Sequence, residues 1–210
     1  MKSDNMKNDN VIAVFESIKC IRQLYREIDS FFRSLDHLMG KNEYKLLGNS
    51  KITDNEVVLE MADLWLPIHF YRNYKLDSYN LINVNIYLTK NPIHKELSEL
   101  KEPILVFAKY NFNKKFKKEY WSIAYLESRE YDIYFKTKPY KKIPEKVYNK
   151  KDIFTKQNIK ILTDQRLKWW ERWYESEIQM IKDFKFIAVP LFDIKDENDI
   201  QKILKKIGLN

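Results

Sequence analysis

The chain has 210 residues, of which 44% are hydrophobic, and its formal net charge is +8. This size and apolar content are typical of one globular domain and exclude an intrinsically disordered protein. With three glycines and one cysteine, the chain cannot build a glycine-rich phosphate loop or a cysteine-based zinc site.

Residues 10–39 are predicted to form one long amphipathic helix. Apolar residues recur at alternating steps of three and four, which is the heptad pattern of a helix that packs along another surface. Asn10 is the expected N-cap, Gly40 the expected left-handed C-cap, and Cys20 an expected buried side chain. We expect the stripe to pack against the sheet, a partner protein or a second copy of the chain. Its members are Val11, Val14, Ile18, Ile21, Tyr25, Ile28, Phe32, Leu35 and Met39.

The middle of the chain is predicted to form an antiparallel sheet. Thr53 to Glu56 resembles a capping box, so residues 57–66 form either a helix or a strand that Pro67 ends. Segments 81–89, 104–112, 120–127 and 131–138 are rich in β-branched and aromatic residues, which predicts a meander over 81–138. Residues 139–160 have the composition of an irregular basic connection.

Residues 164–208 are predicted to form a helix, a strand and a second helix. Leu167, Trp170, Tyr174, Ile178, Ile181 and Phe184 form the apolar side of the first helix. Residues 186–192 follow as a buried strand, in which Pro190 indicates an edge or a bulge. Acidic residues from Asp196 onward begin the final helix and Gly208 ends it. The sequence thus predicts a single α+β domain over residues 1–210, with a long N-terminal helix and a mainly antiparallel central sheet.

The positive charge is concentrated in one segment. Residues 109–156 contain fourteen Lys or Arg and six Asp or Glu, so the remainder of the chain is neutral. Lysines neutralise phosphates without reading sequence, and aromatic rings stack on bases, so this segment predicts a non-specific nucleic-acid surface. The alternative is a solvated, lysine-rich loop. The predicted surface consists of Lys114, Lys115, Lys117, Lys118, Lys136, Lys138, Lys141 and Lys142, with Tyr134 and Tyr140.

A tryptophan-rich stretch offers a second interpretation. Trp169 and Trp173 lie four residues apart, in a row beside the stripe that contains Trp170. The pair either packs in the core or forms an aromatic surface for bases or a partner protein. The alternative function is therefore that of a protein-interaction subunit that acts through the N-terminal helix, Trp169 and Trp173.

The third interpretation is a metal-dependent nuclease. Asp193 and Lys195 form a D-x-K motif at a strand end, and Glu171 and Glu175 precede it on the predicted helix. Similar tripeptides arise by chance in so charged a chain. We expect instead a non-catalytic accessory protein that needs no cofactor and no metal. No apolar run approaches the 18 or so residues of a membrane span, and no signal-peptide core is present, which predicts a cytoplasmic protein away from membranes.

Overall fold

A computed structural model of the chain describes residues 2–47, 69–88, 102–115, 147–166 and 173–209. Contacts between residues divide the chain into two units, Met1–Leu38 and Met39–Asn210. The predictions for residues 53–66, 120–127 and 131–138 lie outside the described residues.

The first unit is a helix, α1, which spans Lys2–Lys41 and ends in the second unit. At 1.5 Å per residue, its 40 residues extend over about 60 Å. The predicted helix is confirmed, but both of its predicted caps are wrong. Asn10 lies inside α1 because the helix begins earlier, and the left-handed residue after it is Glu43, with φ of 63°.

Burial divides α1 along its length. Residues 11–20 are all exposed, whereas Ile28, Phe32, Leu35 and Leu38 are buried. Cys20 is exposed, so its expected burial is wrong. The reason is that the whole of residues 11–20 is exposed, including the stripe residues Val14 and Ile18.

The second unit is built on a six-stranded antiparallel sheet with the order β1-β2-β3-β4-β6-β5. The strands are β1 (Lys45–Leu46), β2 (His69–Lys75), β3 (Asn80–Tyr87), β4 (Ile104–Phe112), β5 (Tyr148–Asn149) and β6 (Ile181–Pro190). The strands predicted at 81–89 and 104–112 are confirmed as β3 and β4, whereas β2 was not predicted. The mixed α+β class is confirmed.

Short helices precede or follow the strands β5 and β6 along the chain. They are α2 (Lys150–Ile153), α3 (Lys156–Leu162), α4 (Glu175–Met180), a 3-10 helix (Leu191–Asp193) and α5 (Glu197–Lys206). The connection predicted to be irregular over 139–160 therefore contains β5, α2 and most of α3 in its described part. For α5 the predicted signals are confirmed: Asp196 accepts a hydrogen bond from the Asp199 backbone N–H, and Gly208 ends the helix with φ of 83°.

The long helix predicted from Asp164 is wrong. Residues 163–166 form a turn, α4 covers only Glu175–Met180, and β6 begins at Ile181. Ile181 and Phe184 are spaced as on a helix, but Phe184, Phe186 and Ala188 alternate as on a strand, and pairing with β4 decides the conformation. Pro190 is the last residue of β6, where a missing N–H costs least.

Both faces of β3, β4 and β6 are largely buried, and the aromatic part of the core lies on the face that carries Tyr110, Phe184 and Phe186. Tyr110 stacks on Phe112 with ring centroids 5.7 Å apart, and it also contacts Phe184 at 5.0 Å. Residues of the helical segments cover this aromatic row, among them Phe154 and Trp173.

Candidate nucleic-acid interface

Only two of the predicted phosphate-binding lysines lie in the described part of the chain. Lys114 and Lys115 are exposed and follow directly after β4. The other predicted residues, Lys117, Lys118, Lys136, Lys138, Lys141, Lys142, Tyr134 and Tyr140, lie outside the described residues.

Backbone contacts fix the position of this pair next to the junction of α4 and β6. Phe112 is paired with Ile181, and the Asn113 backbone N–H donates to the carbonyl of Met180 at 2.9 Å. The Asn113 side-chain amide donates to the carbonyl of Gln179 at 2.8 Å. The chain that carries Lys114 and Lys115 therefore leaves the sheet against the end of α4.

A second basic segment reaches the same junction. Lys150, the first residue of α2, donates a hydrogen bond from Nζ to the carbonyl oxygen of Ile181. Lys151 follows it and is exposed, as is Lys182, the second residue of β6. Three segments distant in sequence thus bring lysines to one end of the sheet. We call Lys114, Lys115, Lys150, Lys151 and Lys182 the basic cluster.

Two further lysines lie side by side on the sheet. Lys109 of β4 and Lys185 of β6 are directly opposite each other in the register. Lys109 Nζ donates to the carbonyl of Gly208 at 2.8 Å. A Cβ atom at Gly208 would lie 3.0 Å from Lys185 Nζ and 3.7 Å from Lys109 Nζ, so both ammonium groups approach the same point. Like charges directly opposite on neighbouring strands destabilise a sheet.

The surroundings of Lys109 disfavour its charged form. Burial of Lys109 lowers its pKa, and the neighbouring charge of Lys185 lowers it further, while Asp183 acts in the opposite direction. A lowered lysine pKa means that the charged form is held in an unfavourable environment. Asp183 and Asp152 are themselves hydrogen-bonded to backbone N–H groups, of Phe184 at 2.8 Å and of Asn149 at 2.9 Å.

Of the two alternatives for Trp173, the structure favours packing in the core. Its side chain is 1% exposed, and its ring lies 5.6 Å from that of Phe154, so it packs in the core and is not presented to a partner. The neighbouring Tyr174, expected on the buried stripe, is instead 43% exposed. Both residues precede α4 in extended conformation, in which successive side chains point in opposite directions. Trp169 lies outside the described residues.

The predicted nuclease residues do not converge. Glu175 begins α4, before β6, and Asp193 ends the 3-10 helix after β6. The ten residues of β6 extend about 33 Å, and neither short helix is long enough to fold back and close that gap. The Lys195 side chain donates a hydrogen bond from Nζ to the backbone carbonyl of Phe192. Glu171 lies outside the described residues. Among the described residues, no group of three or more His, Cys, Asp or Glu could hold a metal ion.

The sequence analysis did not identify Lys182 of the basic cluster, or Lys185 opposite Lys109. Both lie outside the segment 109–156 that carries the excess charge, and only the pairing of β6 with β4 places them beside it. The excess charge of that segment could have identified three further lysines that lie within it: Lys109, Lys150 and Lys151.

Comparison with known proteins adds no relative. Within the described residues, no helix is long and apolar enough to cross a bilayer. No protein-family model, no curated protein and no solved structure matches this chain.

Proposed function

We propose that this protein is a non-catalytic accessory protein that binds nucleic acid non-specifically through its phosphates. The observation that carries the proposal is the convergence of lysines from three segments at the junction of α4 and β6. The predicted lysines outside the described residues lie between Lys115 and Lys150 in the sequence. As part of the proposal, the protein works in the cytoplasm, a reducing compartment that suits its single cysteine.

The chemistry of lysine determines what such a surface would recognise. An ammonium group on a flexible stem is a point charge that contacts phosphate oxygens without the planar fork by which arginine reads guanine. Binding would therefore depend on charge density and on salt rather than on base sequence. With about four to six phosphate contacts, the log of the association constant should fall with log salt at a slope of about −3 to −5.

The experiment compares two double variants that change the net charge equally. Lys114→Glu with Lys115→Glu alters the basic cluster, whereas Lys195→Glu with Lys202→Glu alters an exposed pair around Asp199, beyond the C-terminal end of β6 and away from the junction of α4 and β6. Fluorescence anisotropy of a labelled oligonucleotide, titrated between about 50 and 200 mM salt, gives the affinity and the slope.

The cluster variant should bind more than tenfold more weakly, and its slope should be shallower by about 1.4 to 1.8, from two lost contacts at 0.7 to 0.9 each. The control pair should shift the affinity less and keep the slope. If both variants weaken binding equally, the site is wrong and only net charge matters. If the wild-type protein does not bind oligonucleotides at 50 mM salt, the proposed function itself is wrong.

The protein-interaction alternative is favoured by one observation, the exposed apolar residues at the start of α1. It no longer has the support of Trp173, because that ring is buried. The nuclease alternative has no support among the described residues, since Glu175 and Asp193 lie at opposite ends of β6. Magnesium-dependent cleavage abolished by Asp193→Ala would be needed to restore it.

A further inference from the structure

The connection between β2 and β3 lies at the same end of the sheet as the basic cluster. Asn80, the first residue of β3, is paired with Asn111 near the end of β4, and the chain that carries Lys114 continues from there. The Phe112 backbone N–H donates to the carbonyl of Tyr79 at 2.8 Å. Neighbouring strands lie about 5 Å apart and two residues extend at most about 7 Å, so the Cα atoms of Tyr79 and Lys114 lie within about 12 Å of each other.

Tyr79 presents an aromatic ring at this position, and its side chain is 38% exposed. Its backbone is held from two sides. The Asp77 carboxylate accepts from the Tyr79 N–H at 2.7 Å and from the Asn80 N–H at 2.8 Å, while Phe112 binds the Tyr79 carbonyl. A backbone that is fixed in advance loses little conformational freedom when a ligand binds beside it.

Exposed lysines lie on both sides of this ring. The basic cluster lies on the side of β4 and β6. On the other side of the connection, Lys45 of β1 and Lys75, the last residue of β2, are exposed and directly opposite each other. A nucleic acid that follows this end of the sheet would therefore pass Tyr79 between two groups of phosphate-binding side chains.

Two further aromatic side chains are exposed in the described part of the second unit, and both have acidic neighbours. Tyr174 donates its backbone N–H to the Glu177 carboxylate at 2.9 Å. Phe192 is followed by Asp193, beyond the opposite end of β6. Carboxylates repel phosphates, so of these three rings Tyr79 has the surroundings that suit a nucleic acid best.

We propose that the nucleic acid bound at this end of the sheet is single-stranded, and that one of its bases stacks on the ring of Tyr79. The inference rests on the proposed function and adds a substrate class to it. In a duplex the faces of the bases are covered by their neighbours, whereas a single strand can turn a base onto an aromatic ring while lysines contact its phosphates. Every base has a flat face, so this contact adds affinity without sequence preference.

The experiment measures fluorescence anisotropy with three labelled probes of equal length. They are an oligothymidylate, an abasic strand with the same phosphates but no bases, and a duplex. The wild-type protein should bind the oligothymidylate at least about fivefold more tightly than the abasic strand, which is the lower limit for stacking one base on an aromatic side chain.

Three variants separate stacking from charge. Tyr79→Ala should bind the oligothymidylate and the abasic strand equally, and it should leave duplex binding and the salt slope unchanged because no phosphate contact is lost. Tyr79→Phe retains the ring and should retain the preference. Phe192→Ala removes another exposed ring, about 33 Å away beyond the other end of β6, and should change nothing. Circular dichroism confirms that each variant is folded.

The outcomes distinguish this inference from the proposed function. Equal wild-type binding of the oligothymidylate and the abasic strand, or a Tyr79→Ala variant that keeps the preference, would overturn the inference and leave the proposed function intact. The same holds if Tyr79→Ala weakens binding of all three probes alike, because a base contact cannot affect the abasic strand. Absence of binding to every probe at about 50 mM salt would overturn both.

Discussion

Replacing Trp173 with alanine should lower the free energy of unfolding by about 3 to 5 kcal/mol. The indole is 1% exposed and contacts the ring of Phe154, which in turn lies 5.4 Å from the ring of Phe184 in the aromatic row of the sheet. Truncation to alanine removes this contact and leaves a cavity that the packed rings on the sheet cannot readily fill. The loss is a large part of the 5 to 15 kcal/mol that a domain of this size has in total.

The adjacent residue provides a matched control. Tyr174 is 43% exposed, so Tyr174→Ala removes an aromatic ring at the next position while creating no internal cavity, and it should cost less than about 1 kcal/mol. Urea unfolding followed by far-ultraviolet circular dichroism measures both variants. Trp173→Phe retains a ring and should recover part of the loss, which keeps the test usable if the alanine variant does not fold.

Equal costs for Trp173→Ala and Tyr174→Ala would refute the inward placement of Trp173. The contact with Phe154 can be isolated by a double-mutant cycle. With Phe154→Leu as the second change, the coupling energy should be about 0.5 to 1.5 kcal/mol, as for other aromatic pairs.

Two further predictions concern polar groups. Asn83 is fully buried, donates to the side-chain oxygen of Asn73 and accepts from the side-chain amide of Asn85, so Asn83→Ala should cost at least about 2 kcal/mol in urea unfolding. A change below about 0.5 kcal/mol would contradict the buried network. Hydrogen bonds from the side chain and backbone of Arg166 lower the pKa of Asp164 to about 2, and Arg166→Ala should raise it towards 3.8 in a carboxylate titration by nuclear magnetic resonance. Because the folded-state pKa is the lower one, this contribution to stability is present above about pH 4 and is lost as the pH falls through about 2.

Local patterns predicted the elements whose residues determine their own conformation. The heptad repeat predicted most of α1, runs of β-branched and aromatic residues predicted β3 and β4, and an acidic N-cap with a terminal glycine predicted α5. These signals act within a few residues, so the sequence displays them directly.

The region around α4 shows where such patterns fail. The apolar spacing from Leu167 to Phe184 fits a helix, yet Ile181 and Phe184 belong to a strand whose hydrogen bonds are made with β4, about 70 residues earlier. Tyr174 was misplaced for the same reason, because a helical pattern put it on the buried side, whereas its side chain is 43% exposed. Tertiary pairing overrides local periodicity whenever a short apolar segment is compatible with both periods.

The position of Lys185 opposite Lys109 could not be predicted from local patterns either, because it depends on the pairing of β6 with β4. Lysines retained only for solubility would lie on solvated loops, where their charges are screened and cost little. Lys109 and Lys185 instead lie directly opposite each other within the sheet, and burial together with mutual repulsion holds the pKa of Lys109 below its ordinary value. The proposed function would account for this arrangement, because functional sites are where proteins keep such unfavourable groups. In the proposed function, an anion bound there would offset the two like charges, and the exposed lysines of the basic cluster would contact further phosphates.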